Sequence, residues 1–201
     1  MNLYGFALLP SVEIQERLIE FQRRHEDTVG EPRLGLDTNL PHTSVLQHPY
    51  DPGVDYEPYL GVVEHPIESE WTEFYYQPKG WLFAGVRKTN QLDKLHRRLF
   101  DRTKQHIDTA QIGDHPDLAA LTPQEQANYR AYGYRYLGDL YRPHVTIGRT
   151  LDDVTTADET VVRDFELEFF GKTVRYDRLA FYEAGEFGAL KRIVCMRQLT
   201  D

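Results

Sequence analysis

Pro41-His42-Thr43-Ser44 and Pro143-His144-Val145-Thr146 repeat one pattern about a hundred residues apart, a histidine followed two positions later by a small hydroxyl residue. Both stretches lie in runs that read as β-strand, residues 40–47 and 142–150, and side chains two apart on a strand leave the same face. Each strand therefore presents one imidazole and one hydroxyl side by side. Such a pair can hold a phosphate and move a proton beside it. The hydroxyl donates to a non-bridging oxygen, and the imidazole, with an unperturbed pKa of ~6.5, serves as base or acid near neutrality. Two copies in one cleft would supply both roles. A neutral histidine takes a proton from water, and a protonated one gives a proton to the departing sugar oxygen.

At these residues the chain resembles the 2H phosphoesterase superfamily, the group of 2'-5' RNA ligase-like proteins and cyclic nucleotide phosphodiesterases built on two His-x-Thr/Ser motifs. Arg142-Pro143-His144-Val145-Thr146-Ile147-Gly148-Arg149 is similar to that family's Pro-His-x-Thr-Leu-x-Arg stretch, including the arginine three residues beyond the threonine. In the first motif Ser44 replaces the commoner threonine, and Gln47 stands where an apolar or aromatic residue is usual. The order of elements also fits the family, from an opening strand at 3–9 that runs into a helix at Ser11 to a closing strand, turn and strand at 179–199. The resemblance implies an α+β fold, a bilobal arrangement of two antiparallel sheets related by a rough twofold, with flanking helices and a central groove carrying one motif on each side. It implies one domain over residues 1–201, with an insertion at about 108–141 that has no family counterpart.

The activity so implied is a metal-independent and cofactor-free phosphodiesterase acting on a 2',3'-cyclic phosphate or on a 2',5' or 3',5' linkage. His42, Ser44, His144 and Thr146 would be its catalytic set. Arg149, Tyr4, Tyr141 and Tyr182 are the candidates for gripping the substrate. Two other readings stay open: an RNA end-joining or end-trimming enzyme of the same family, and a non-catalytic module that binds a nucleotide without turning it over.

Composition bounds the substrate. The chain has 201 residues, 40% of them apolar, enough for one domain with a substantial core. Its net charge of -9 is unlike that of proteins gripping long nucleic acid, whose affinity comes largely from phosphate neutralisation. A nucleotide, a cyclic nucleotide or a short oligonucleotide end bound by a monomer is the expected partner. Arg142, Arg149, Lys191 and Arg192 would form a local basic patch if the second motif strand and the closing hairpin were neighbours. No apolar run approaches the ~18 residues of a bilayer span, and no signal-peptide pattern opens the chain, so a cytoplasmic location is expected. The single cysteine, Cys195, reads as a packing residue.

Outside the motifs, Pro10-Ser11 starts a helix with Ile14, Leu18 and Phe21 on one face and Glu13 and Glu16 in its first turn. Residues 71–76 and 81–87 read as strands around a type I turn at Gln77-Pro78-Lys79-Gly80. Residues 91–107 place Leu92, Leu95, Leu99, Phe100, Thr103 and Ile107 at helical spacing. The basic residues around them read as a solvated face, diluted by Asp93, Asp101 and Asp108. Thr122-Pro123-Gln124-Glu125 is a capping box with proline at the first helical position, so a short helix should run to about Tyr132 and stop at Gly133. Tyr129, Tyr132, Tyr134, Tyr136 and Tyr141 crowd its end, either to stack bases over the cleft or to pack the insertion. Phe165, Leu167 and Phe169 alternate with charged residues and read as a half-buried strand.

Other chemistries find little support. His106-x-Asp108 and His115-x-Asp117 do not fall within a helix-borne zinc pattern, and there is no Cys-x-x-Cys, no His-Glu-x-x-His, no Gly-x-Ser-x-Gly elbow and no glycine-rich phosphate loop.

Overall fold

The opening run Tyr4–Pro10 is strand β1, and it is buried along its whole length because it has a partner on both sides. The structure, a computed structural model, describes residues 2–77, 80–114, 118–151 and 159–201. β1 pairs antiparallel with β2 (Thr43–His48) and with β6 (Thr173–Ala184), and β7 (Leu190–Gln198) closes a hairpin on β6. A second antiparallel set consists of β3 (Ile67–Gln77), β4 (Trp81–Val86) and β5 (His144–Arg149).

The two sets meet at two seams. The outer half of β3, Ile67 to Glu70, pairs with β6, and β2 meets β5 through the single pair Thr43–Val145. All seven strands thereby form one hydrogen-bonded sheet in the order β1-β2-β5-β4-β3-β6-β7, closed on itself by the β1–β6 pairing. The α+β class is as expected, and the two antiparallel sets expected as separate sheets are recognisable within the one.

The helices α1 (Val12–Arg24), α2 (Asn90–Thr103) and α4 (Glu159–Glu168) cover one face of the sheet. Leu18, Phe21, Leu92, Leu95, Leu99, Val161 and Phe165 join Phe6, Leu8, Val45, Leu82, Val145 and Ile147 in the main core. On β1 the neighbours Ala7 and Leu9 point the other way, into a smaller cluster with Ala180, Tyr182 and Leu190. That alternation is the period-two signature of a strand buried on both faces. No helix among the described residues is long and apolar enough to cross a membrane.

The capped helix falls where its signals put it. α3 (Pro123–Tyr132) starts at a full Thr122–Glu125 capping box and ends at Gly133, whose φ of 69° suits glycine. α2 ends at Thr103 and tightens into a 3-10 turn, so Ile107 reaches the core beyond the helix. One reading is corrected. Residues 165–169 are not a strand, because Val161, Phe165 and Phe169 recur every four residues on a buried helical face while Leu167 is 73% exposed. The turn at Pro78-Lys79 and the pair His115/Asp117 lie outside the described residues.

Candidate active site

Thr43 and Val145, the one matched pair between β2 and β5, are both fully buried on the helix-covered face. In antiparallel strands the flanking residues then face each other on the opposite side, so Ser44 lies across from His144, and His42 across from Thr146. The two motifs thus meet about a local twofold through this bridge. Each imidazole has the other motif's hydroxyl as its cross-strand neighbour.

Both strands carry a one-residue bulge at the same motif position. On β2, Ser44 pairs with Ala7 and Leu46 with Phe6, leaving Val45 as the extra residue. On β5, Thr146 pairs with Phe83 and Gly148 with Leu82, leaving Ile147 extra. Each bulge falls three residues after its histidine and flips the side-chain alternation beyond it. As a result Gln47 and Arg149, five residues after their histidines, join the imidazole and hydroxyl on the half-buried face. Gly148 permits the second bulge, because a Cβ there would lie 2.7 Å from the Gly30 carbonyl and 2.8 Å from Val29.

The two rings are held alike. His42 Nδ1 is 2.8 Å from the Leu40 carbonyl oxygen and His144 Nδ1 is 2.8 Å from that of Arg142, in each case two residues back. A carbonyl only accepts, so each Nδ1 carries the hydrogen and each neutral ring keeps its lone pair at Nε2. Burial lowers the pKa of His42, which is 8% exposed, against the raising effect of its carbonyl partner. Burial likewise pushes His144 down to about 4, opposed by the Arg142 carbonyl and assisted by the charges of His42 and Arg135.

Tyr182 supports the first motif. Its ring lies over Gly5, where a Cβ would come within 2.8 Å of it, and its hydroxyl reaches across β1 to Ser44 Oγ at 3.0 Å. The His42 ring packs edge-on against it at 5.2 Å. Burial raises the Tyr182 phenol to about 12, so it stays protonated near neutrality. On the second side Phe83 packs tilted by 39° against His144 at 4.3 Å, and Tyr75 and Tyr136 both lie 6.4 Å from that ring.

The structure brings His42, Ser44, His144, Thr146, Arg149 and Tyr182 to this seam, with Arg149 over the Trp81 ring at 5.5 Å. Tyr4 and Tyr141 are instead core residues: Tyr4 stacks on Phe181, and Tyr141 lies flat on His96 at 4.3 Å. The expected basic patch does not form. β5 is bordered by β2 and β4, not by the closing hairpin, where Lys191 and Arg192 both pair with Glu183. Arg135 takes their place, acting on His144 from the 108–141 segment with its guanidinium 4.5 Å over Tyr136.

Sequence reading missed Tyr75, Phe83 and Arg135 as site residues. The alternation of Trp81, Phe83 and Gly85 opposite Arg149, Thr146 and His144 would have found Phe83, once β4 was known to neighbour β5. Among the described residues no group of three His, Cys, Asp or Glu side chains is placed to hold a metal ion. A cleft of about 370 Å³ between residues 61–67 and α2 contains neither motif.

No family model matches the chain, and no curated protein sequence matches it. Solved structures do. E. coli LigT complexed with 3'-AMP superposes with a TM-score of 0.55 at 12% identity, covering 100% of this chain and 99% of that one. E. coli LigT complexed with NADP+ gives 0.53 at 13% identity with the same coverage. A phosphoesterase crystal structure gives 0.53 at 13%, again over 100% and 99%. The chain therefore has the LigT fold from end to end.

Proposed function

We propose that the chain belongs to the 2H phosphoesterase superfamily and is a metal-independent phosphodiesterase of nucleotides or short oligonucleotide ends. The observation that carries this reading is the paired motif at the Thr43–Val145 bridge. Two imidazoles, each with Nδ1–H on a backbone carbonyl, flank that bridge, and antiparallel geometry sets each across from the other motif's hydroxyl position. The LigT structures add support, since that protein is complexed with nucleotides, NADP+ and 3'-AMP.

In this reading the phosphodiester lies across the seam, with non-bridging oxygens accepting hydrogen bonds from Ser44 and Thr146. Tyr182 donates to Ser44 Oγ and leaves the serine proton for the phosphate. Arg149 adds positive charge. The neutral imidazole takes a proton from water at Nε2, and the water oxygen bonds to phosphorus. The P–O bond to the departing ribose oxygen breaks, and that oxygen receives the proton of the second imidazolium.

At rest both rings are held towards neutrality by burial. The anionic substrate itself raises an imidazole pKa, so binding creates the acid that the reaction needs. The aromatic wall of Tyr75, Phe83 and Tyr136 offers flat faces for a nucleobase.

The test is chromatographic, with EDTA present. Wild type, His42→Ala and His144→Ala are incubated with 2',3'-cyclic mononucleotides and with 2',5'- and 3',5'-linked dinucleotides. Turnover of at least one linkage by wild type alone supports the proposal. Tight binding without hydrolysis across the set would leave a nucleotide-binding module instead, and joining of RNA ends without hydrolysis would leave a ligase.

A further inference from the structure

The extra residue of each bulge is held from the helix side by one buried polar side chain. On α1, Gln22 is 3% exposed; its Nε2 donates to the Ile147 carbonyl at 2.5 Å and the Pro32 carbonyl at 2.9 Å, and its Oε1 accepts from the Leu34 N–H at 2.8 Å. On α2, His96 is 1% exposed; its Nδ1 donates to the Val45 carbonyl at 2.8 Å, and its Nε2 accepts from the Gly138 N–H at 3.0 Å. Ile147 and Val45 are the two bulge residues, each three positions after its histidine.

The connections cross over. Gln22 ties the strand of the second motif to residues 32–34, on the approach to His42. His96 ties the strand of the first motif to Gly138, on the approach to His144. Different helices and different side-chain types thus make the same pair of links on the two sides of the local twofold.

Packing alone would not call for this. An amide and an imidazole are costly to bury, and a methionine or phenylalanine would fill the same volume without that cost. What the polar groups add is direction. A bulge leaves its extra residue outside the strand ladder, so the carbonyls of Val45 and Ile147 need partners, and where those partners sit sets how each strand turns.

We infer that Gln22 and His96 are positioning residues, cross-links that hold the two histidine motifs in register with each other and turn Gln47 and Arg149 onto the face of the imidazoles. This rests on the reading of His42 and His144 as the catalytic pair. Neither Gln22 nor His96 touches the substrate.

The variants are Gln22→Met and His96→Phe in the full chain. Both keep volume, and the phenylalanine keeps the stack on Tyr141. Two readouts are taken: kcat and KM on 2',3'-cyclic AMP, and the titration of the His42 and His144 rings by NMR with labelled histidine. The expected result is a tenfold or greater loss of kcat with KM within about twofold. In each variant the midpoints of both rings, not only the nearer one, should move up towards ~6.5 as the seam loosens. A merely structural role lowers Tm and leaves both midpoints in place, and that outcome in a folded variant overturns the inference.

If wild type turns over none of the probes, the phosphodiesterase reading fails while the titrations still decide this one. Should a variant not fold, Gln22→Asn and His96→Asn, uncharged amides that can each keep one link, are titrated in its place. Wild type alone supplies a further check, because His96 must be the Nδ1–H tautomer at pH 7. Nitrogen shifts showing the Nε2–H form would overturn the inference without any variant.

Discussion

The two imidazoles at the seam are alike in what holds them, a carbonyl two residues back, and alike in what burial does to them. That shared lowering sets an expectation for the pH dependence of turnover. kcat/KM reports the free protein, in which one ring must be protonated and the other neutral, so its bell should lie on the acid side of neutrality, towards the value of about 4 that burial gives His144. kcat reports the complex, where the phosphodiester charge favours an imidazolium, so its bell should lie at higher pH. A kcat/KM profile flat from pH 5 to 9 in a chemistry-limited assay would remove histidine acid-base catalysis. Because the rings act as a unit, His42→Ala and His144→Ala should each abolish most turnover, and the double variant should lose little more. The hydroxyls are subsidiary: Thr146→Val should cost about a hundredfold in kcat, the usual size for one well-placed donor to a developing anion. Under the proposed function, turnover should also persist in EDTA, with no gain from added magnesium, since that reading assigns to side chains the roles filled by metal ions in two-metal phosphodiesterases.

At the scale of strands and helices, the site depends on places where a side chain is missing. Tyr182 on β6 reaches Ser44 on β2 only because β1 between them has Gly5. Gly5→Ala sets its Cβ 2.4 Å from the Leu46 carbonyl and 2.8 Å from the Tyr182 ring, so the ring or the strand must move. The expected cost is ~1–3 kcal/mol in a urea melt, the usual range for overpacking, together with a change in the Tyr182 environment detectable by fluorescence or NMR. An alanine variant as stable as wild type would show that the ring is not held over this position. The same elements show what sequence could and could not reveal. The two motifs, the capping box of α3 and the spacing of Leu92, Leu95 and Leu99 are local signals, and each marks a real element, although β2 begins only at Thr43, one residue after His42, and α2 ends at Thr103 rather than Ile107. α4 was misread because Phe165-Glu166-Leu167-Glu168-Phe169 alternates like a strand, while its buried face uses every fourth residue, 161, 165 and 169. The bulges at Val45 and Ile147, the Tyr182–Ser44 bond and the approach of Arg135 to His144 depend on which strands are neighbours. β1 pairs with β6, some 170 residues away, and nothing local encodes that pairing.

For the molecule as a whole, buried neutral histidines make stability depend on pH in a window separate from that of the carboxylates. His48, at the end of β2, donates from Nδ1 to the Tyr132 carbonyl at 2.7 Å and is fully buried; His96 joins β2 to the 108–141 segment. Burial pushes both pKa values down to about 4. In the unfolded chain each ring titrates near ~6.5, so between the two values the unfolded state binds more protons than the folded one, and stability rises with pH. The stability associated with the neutral rings is therefore fully present above ~6.5 and is lost as pH falls towards about 4, by at most ~3 kcal/mol per ring. The lowered carboxylates, Glu20, Asp93, Glu125 and Glu183 among them, start from ordinary carboxylate values of 3.8 to 4.5 and lose their contribution mainly below that window. Urea melts at pH 7.5, 6.5, 5.5 and 4.8 should thus show a decline that begins near pH 6.5. His48→Phe, which removes one of four lowered rings once His42 and His144 are counted, should make that decline shallower by about a quarter while leaving the fall below pH 4 unchanged. Protonation of His96 at Nε2 removes the acceptor of the Gly138 N–H, so amide protection around Gly138, corrected for the intrinsic exchange rate, should fall first as the pH drops. Equal slopes for wild type and His48→Phe from pH 6.5 to 4.8 would mean that His48 is already protonated in the folded protein, and that burial does not hold this ring neutral.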